Sequence, residues 1–266
     1  MNNAFTDRRV PVAGGSLSVA HRPGRGPTLL LLHYWGGSAR TWGPTLTHLD
    51  QQVPVALYDH RGWGRSNTLP GPFGLEQLAD DVATVIDALD TDVILVGHSM
   101  GGKVAQLVAA ERPAALKGLV LVAPAPPEPP TAITAQFQQQ LVHAYDNAET
   151  VSSALDHVLT AVPLVASVRA AVIEDSLAST AEARTEWPLH GIAENITAAA
   201  ERIQIDTTVI TGSRDVVEPV DVLRQHLAPF IPSASIYVLD GPGHLIPLEA
   251  PETLARELAR YQRSAA

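Results

Sequence analysis

The sequence predicts a single α/β core, a mostly parallel sheet with helices on both faces, interrupted by a helical insertion. Three observations predict it. Short runs such as Thr28–Leu32 (TLLLL) are apolar at every position, as strands covered on both faces require. Segments of helical period alternate with them, clearest at Leu75–Leu89, where Leu75, Leu78, Ala79, Val82, Val85, Ile86 and Leu89 share one face. The alternation then stops for roughly 70 residues that are helix-like throughout, a length typical of a functional insertion rather than of a loop. With 266 residues, 45% of them hydrophobic, the chain is long enough to bury one such core.

Each element follows from its residues. Residues 9–13 and 17–21 flank Gly14-Gly15 and read as a hairpin whose glycines supply positive φ. Thr28–Leu32 is the first fully buried strand, 39–49 a helix, 53–58 a strand, and 59–68 (DHRGWGRSNT) a loop. After the helix at 75–89 come a strand at 92–96, a helix at 101–111 ended by Pro113, and a strand at 118–123. Pro124-Ala125-Pro126-Pro127-Glu128-Pro129-Pro130 then removes amide donors and fixes φ, a rigid exit from the sheet. Residues 131–202 are alanine-rich and offer no strand. Strands resume at 207–210 and 235–239, with helices at 220–227 and 251–261. Residues 1–123 and 203–266 are thus expected to build the core and 124–202 a helical lid.

Composition narrows the function. Lys and Arg number 18 against 28 Asp and Glu, a net charge of −10, and the basic residues are scattered, so nucleic acid has no electrostatic foothold. There is no cysteine, which excludes disulfides, thiolate catalysis and cysteine-ligated metals. The start, MNNAFTDRRVPVAGG, has no apolar stretch, and no run approaches the ~20 apolar residues of a membrane span. The expectation is a cytoplasmic protein without a membrane partner.

The chemistry centres on Gly97-His98-Ser99-Met100-Gly101. Gly-x-Ser-x-Gly alone is weak, but here the serine falls between an apolar strand and a helix, where a sharp turn exposes its Oγ at the strand's C-terminal end. A serine that only caps the helix is the plainer alternative. A P-loop is nearly spelled as well, yet Val104 stands where a hydroxyl should hold Mg²⁺. A serine nucleophile needs a base and an orienting carboxylate. His244, in Gly241-Pro242-Gly243-His244 after the last strand, is the base at the correct sheet edge. Asp215 follows the strand at 207–210 and reaches the same edge, where ligands of open α/β sheets bind. A turn-stabilising Asp and a surface His are the alternatives, and Glu218 is the nearest substitute acid.

Four motifs in order, His33-Tyr34-Trp35-Gly36-Gly37, Gly97-His98-Ser99-Met100-Gly101, Asp215 and Gly243-His244, make the chain resemble the α/β-hydrolase superfamily, in its group of small serine esterases and perhydrolases. Asp59-His60-Arg61-Gly62-Trp63-Gly64-Arg65-Ser66 resembles a structural loop of that family, organised by Arg61 and Ser66. The resemblance assigns an oxyanion hole to the backbone amides of Trp35 and Met100 and implies no metal or organic cofactor. It places Trp187 against an acyl pocket, with plain lid packing as the alternative. It also marks Tyr34 as unusual, because the family has glycine directly after that histidine; His33 and Tyr34 are therefore pocket candidates. The implied substrate is a small neutral carboxylic ester or lactone. A carbon–carbon bond hydrolase or perhydrolase on the same triad, or a ligand-binding protein that keeps the fold, are the alternatives.

Overall fold

The computed structural model describes residues 4–265. Its strands are β1 (Thr6–Val12), β2 (Gly15–Arg22), β3 (Thr28–Leu32), β4 (Val55–Leu57), β5 (Val93–His98), β6 (Leu116–Val122), β7 (Thr207–Gly212) and β8 (Ala234–Leu239). They form one eight-stranded sheet in the order β1-β2-β4-β3-β5-β6-β7-β8. The β1-β2 and β2-β4 pairs are antiparallel and all others parallel. Chain order runs outward in one direction from β3 to β4 and in the other from β5 to β8, so the topological switch lies between β3 and β5, where α/β sheets open a crevice.

The continuous apolar strands have the expected cause. Leu30 and Leu32 of β3 join one buried cluster with Leu95 of β5, while Leu29 and Leu31 join a second with Ile94 and Val96. Of the helices, α1 (Gly43–His48) packs with the C-terminal helix on the second cluster's side. α2 (Leu75–Leu89) and α3 (Met100–Ala110) cover the first through Val82, Val85 and Val104. Each fully buried Leu or Val contributes about 1.5–3 kcal/mol relative to exposure.

The insertion between β6 and β7 contains α4 (Ala135–Leu141), α5 (Ala148–Ala154), a π-helix at Leu155–Leu159, α6 (Ala166–Leu177), α7 (Ala181–Leu189) and α8 (Thr197–Ala200). The chain closes with α9 (Val220–His226), α10 (Ile246–Glu249) and α11 (Pro251–Ser264). No helix among the described residues is long and apolar enough to cross a membrane.

Three local expectations are corrected. In the hairpin only Gly14 has positive φ (81°); Gly15 begins β2, where a Cβ would lie 2.7 Å from Leu69 Cδ2. Residues 39–49 are not one helix but a 3₁₀ turn at Ala39–Trp42 followed by α1, because Pro44 has no N–H to continue the first and is accommodated in the opening turn of the second. The strand at 53–58 is trimmed to Val55–Leu57.

Candidate active site

Ser99 sits between β5 and α3 with φ 53° and ψ −114°, a left-handed backbone that costs a non-glycine residue about 1–3 kcal/mol and persists where the surroundings enforce it. They do so here. A Cβ at residue 97 would fall 2.3 Å from the Gly101 carbonyl oxygen, and one at residue 101 would fall 2.6 Å from that of His33, so the glycines allow the turn to close against β3. The Ser99 N–H donates to Val122 O at 3.0 Å, tying the turn to the end of β6.

His244 and Asp215 reach this serine from the ends of β8 and β7. His244 Nε2 lies 2.9 Å from Ser99 Oγ, and Nδ1 lies 2.9 Å from Asp215 Oδ2. An ionised Asp215 can only accept, so Nδ1 carries the proton and Nε2 is free to take the serine's. The second carboxylate oxygen accepts the N–H groups of Val217 at 2.8 Å and Glu218 at 3.0 Å. Burial pushes the Asp215 carboxyl up, but His244 and these two amides outweigh it and hold it below its ordinary value. Glu218, the substitute acid, serves through its amide. Its own carboxyl is pushed well up, first by burial and then by Asp215.

The remaining site candidates separate into two groups. Trp35 lies in the loop after β3 and Met100 opens α3, and neither backbone N–H has a hydrogen-bond partner among the described residues, although both residues are buried. Trp187, on α7, is buried against Gly191 and lies 6.0 Å from the ammonium of Lys103. His33 has no free ring nitrogen: Nδ1 donates to Tyr34 O at 2.7 Å and Nε2 accepts the His60 N–H at 3.0 Å, which fastens the 59–66 loop to β3. Tyr34 packs its ring 5.2 Å from that of His98, and its hydroxyl is buried beside Ser176 without a hydrogen bond of normal geometry. Tyr34 also lines a cavity of about 360 Å³ with Arg40, Thr41 and Val172, to which no triad residue contributes. Its φ is not positive, so the loop path is ordinary for a tyrosine.

Four features were beyond sequence reasoning. His98 donates Nε2–H to the His244 carbonyl at 2.9 Å from beneath, and burial, then the neighbouring His244, push its pKa down to about 3. Tyr145 of the insertion stacks on Trp35 at 4.2 Å, and a Cβ at residue 36 would lie 2.6 Å from its ring. Gly36 and Gly37 have no positive φ; glycine is required there for close approach, since a Cβ at 37 would meet the Tyr34 ring at 2.5 Å. Lys103 is fully buried, donates to Ile192 O at 3.3 Å, and has its pKa lowered to about 8 by burial, partly offset by Glu194 and Glu218. Only the Gly-His-Ser-Met-Gly string itself hints at His98; the others depend on long-range contacts.

The 59–66 loop is structural, as expected, though through different atoms for its two residues. Arg61 forms a two-pronged pair with Asp81 of α2, at 2.9 and 2.7 Å, fully buried on both sides. Ser66 organises the turn through its backbone, accepting from Gly62 N at 3.1 Å, while its hydroxyl has no partner among the described residues.

A parallel α/β sheet with a strained serine after β5, and an acid and a histidine after β7 and β8, defines a serine hydrolase of the α/β-hydrolase class. The model of the Hydrolase_4 family, described as serine aminopeptidase, S33, matches residues 28–250, and the chain belongs to that family. The chain is 40% identical over 104 residues to the pimeloyl-[acyl-carrier protein] methyl ester esterase of Pseudoalteromonas atlantica, a match that spans 39% of each chain. It is 29% identical over 248 residues to a Pseudomonas savastanoi protein described as "Putative carbamate hydrolase RutD", spanning 88% of this chain and 93% of that one. Among solved structures, an esterase from Exiguobacterium antarcticum superposes with a TM-score of 0.85 at 19% identity, over 97% of this chain and all of the other, a likeness of fold.

Proposed function

We propose that the protein hydrolyses small, mostly neutral carboxylic esters or lactones through an acyl-enzyme. The observation that carries the reading is the unbroken chain Asp215–His244–Ser99, with both links at 2.9 Å. Ser99 Oγ attacks the substrate carbonyl carbon while His244 Nε2 takes its proton. The negative charge that develops on the carbonyl oxygen is met by the N–H groups of Trp35 and Met100; one such donor is worth ~3–4 kcal/mol because it acts only on the charged intermediate. Collapse breaks the bond to the leaving alkoxide, which receives the proton from His244. Water, deprotonated by the same histidine, then releases the acid and restores Ser99. No step requires a metal or an organic cofactor.

In this reading the insertion of residues 124–202 is a lid and Trp187 a wall of the acyl pocket, while His33 and Tyr34 support the oxyanion loop from behind. The sequence's cytoplasmic expectation belongs to the same proposal. The long match to the carbamate-hydrolase relative makes a carbamate the second substrate class to screen. The test is a hydrolysis screen over p-nitrophenyl esters of increasing chain length, lactones and carbamates, with Ser99→Ala beside the wild type. Turnover that depends on Ser99 is expected; turnover unchanged in Ser99→Ala overturns the mechanism, and no turnover of any ester or lactone overturns the substrate class.

A further inference from the structure

The hydrogen bonds that aim the His244 ring account for its two nitrogens, but its backbone is held by a separate device. Glu249, the last residue of α10, points its carboxylate back into the loop after β8. Oε1 accepts from Gly243 N at 3.1 Å, and Oε2 from Gly243 N and Leu245 N, both at 3.1 Å. Oε1 also accepts two amides from the insertion, Ala161 N at 2.6 Å and Val162 N at 2.8 Å. One side chain therefore gathers four amides, two flanking the catalytic histidine and two on the insertion.

A second acceptor reinforces it. The carbonyl of Leu159, where the π-helix ends, receives both His244 N and Leu245 N at 3.1 Å. Fit is equally close, since a Cβ at residue 243 would lie 2.8 Å from Ala161 N. Every amide from 243 to 245 is thus bound either to Glu249 or to the insertion, and bonds to a carboxylate are about twice as strong as neutral ones.

We propose that Glu249 is a positioning residue: it fastens segment 159–162 of the insertion to the loop that carries His244, so that the imidazole rests on Ser99 Oγ only while that segment is docked. The proposal rests on the serine-hydrolase reading above for its kinetic readout, and on Ser99 reactivity independently of any substrate. Glutamine at 249 keeps the length but turns one acceptor into a donor facing N–H groups, so either the insertion or the histidine loop is released. Aspartate keeps the charge and falls short by one methylene.

The experiment compares wild type, Glu249→Gln, Glu249→Asp and, as a control for charge on a neighbouring exposed site, Glu252→Gln. It measures kcat and KM for p-nitrophenyl butyrate, the rate at which a fluorophosphonate labels Ser99, and thermal melting. Expected is a fall of ~10- to 100-fold in both kcat and labelling rate for the Glu249 variants, the scale of an ångström-sized misplacement, with KM nearly unchanged and the control like wild type. A folded Glu249 variant with wild-type kcat and labelling overturns the proposal. If wild type labels at Ser99 but cleaves no ester, the substrate reading fails and labelling alone decides the clamp; if wild type does not label, both fail. Should neither variant fold, hydrogen exchange on the wild type decides: equal, slow exchange of 159–163 and 242–246 supports the clamp, and fast exchange of either segment overturns it.

Discussion

The ring of His98 lies 5.3 Å from that of His244, and its Nε2 meets the His244 carbonyl at 2.9 Å, so a neutral histidine underlies the catalytic one. Burial holds His98 near pKa 3 and His60 well below its ordinary 6.5. Both rings stay neutral in the fold while the unfolded chain protonates them below about pH 6.5, so stability falls as the pH drops from there. His33, also pushed down by burial, adds to this slope, while Glu218, pushed well up first by burial, opposes it above its ordinary 4.5. His98→Gln, which can still donate to the His244 carbonyl, is expected to shrink the stability lost between pH 7 and pH 5 by about 1–2 kcal/mol. Urea unfolding at the two pH values measures it, and an unchanged loss counts against the assignment.

Asp215 accepts on both oxygens, from His244 through one and from two amides through the other. Asparagine must set its NH₂ against one of these donors. Asp215→Asn is expected to lower kcat by about 10⁴-fold, as loss of a triad carboxylate does elsewhere, with KM little affected. Steady-state kinetics on any accepted ester is the check.

Gly36→Ala would drive a methyl into the Tyr145 ring. The loop or the insertion must give way, at about 1–3 kcal/mol, and the Trp35 amide moves with the loop. kcat/KM is expected to fall at least ~10-fold, and Tyr145→Ala in the same chain to restore part of it. A double-mutant cycle without coupling would show that the two residues act separately.

The Arg61–Asp81 pair is buried on both sides, with a third bond from Arg61 Nη1 to Pro70 O at 2.7 Å. Arg61→Leu alone strands the Asp81 carboxylate and is expected to cost about 3–5 kcal/mol. Arg61→Met with Asp81→Leu should recover most of this, because replacing both charges removes the desolvation cost along with the attraction. Denaturant midpoints distinguish the two outcomes.

Tyr34 stabilises through its ring, packed on His98, and gains little from its unpaired hydroxyl. Tyr34→Phe is expected to leave kcat/KM and melting temperature nearly unchanged, whereas Tyr34→Ala should lose about 3–5 kcal/mol. A large kinetic effect of the phenylalanine variant would place the hydroxyl in the reaction.

The sequence by itself determined the parallel core, because TLLLL and VILV admit only strands covered on both faces, and it determined the order Ser99, Asp215, His244 along one sheet edge. Both are local signals: apolar period, and a serine between glycines at a strand-to-helix turn. It pointed to Asp215 as the acid that orients His244, with Glu218 only the nearest substitute, and in the structure the Asp215 side chain turns onto Nδ1 while Glu218 donates its amide. It gave no sign that Gly36 exists for Tyr145, 109 positions away, that Trp35 Nε1 donates to Arg184 O, or that Glu249 gathers amides from two distant segments. Such contacts have no period and no spacing, since they arise where the insertion folds back over the sheet, and only the tertiary structure brings their partners within reach.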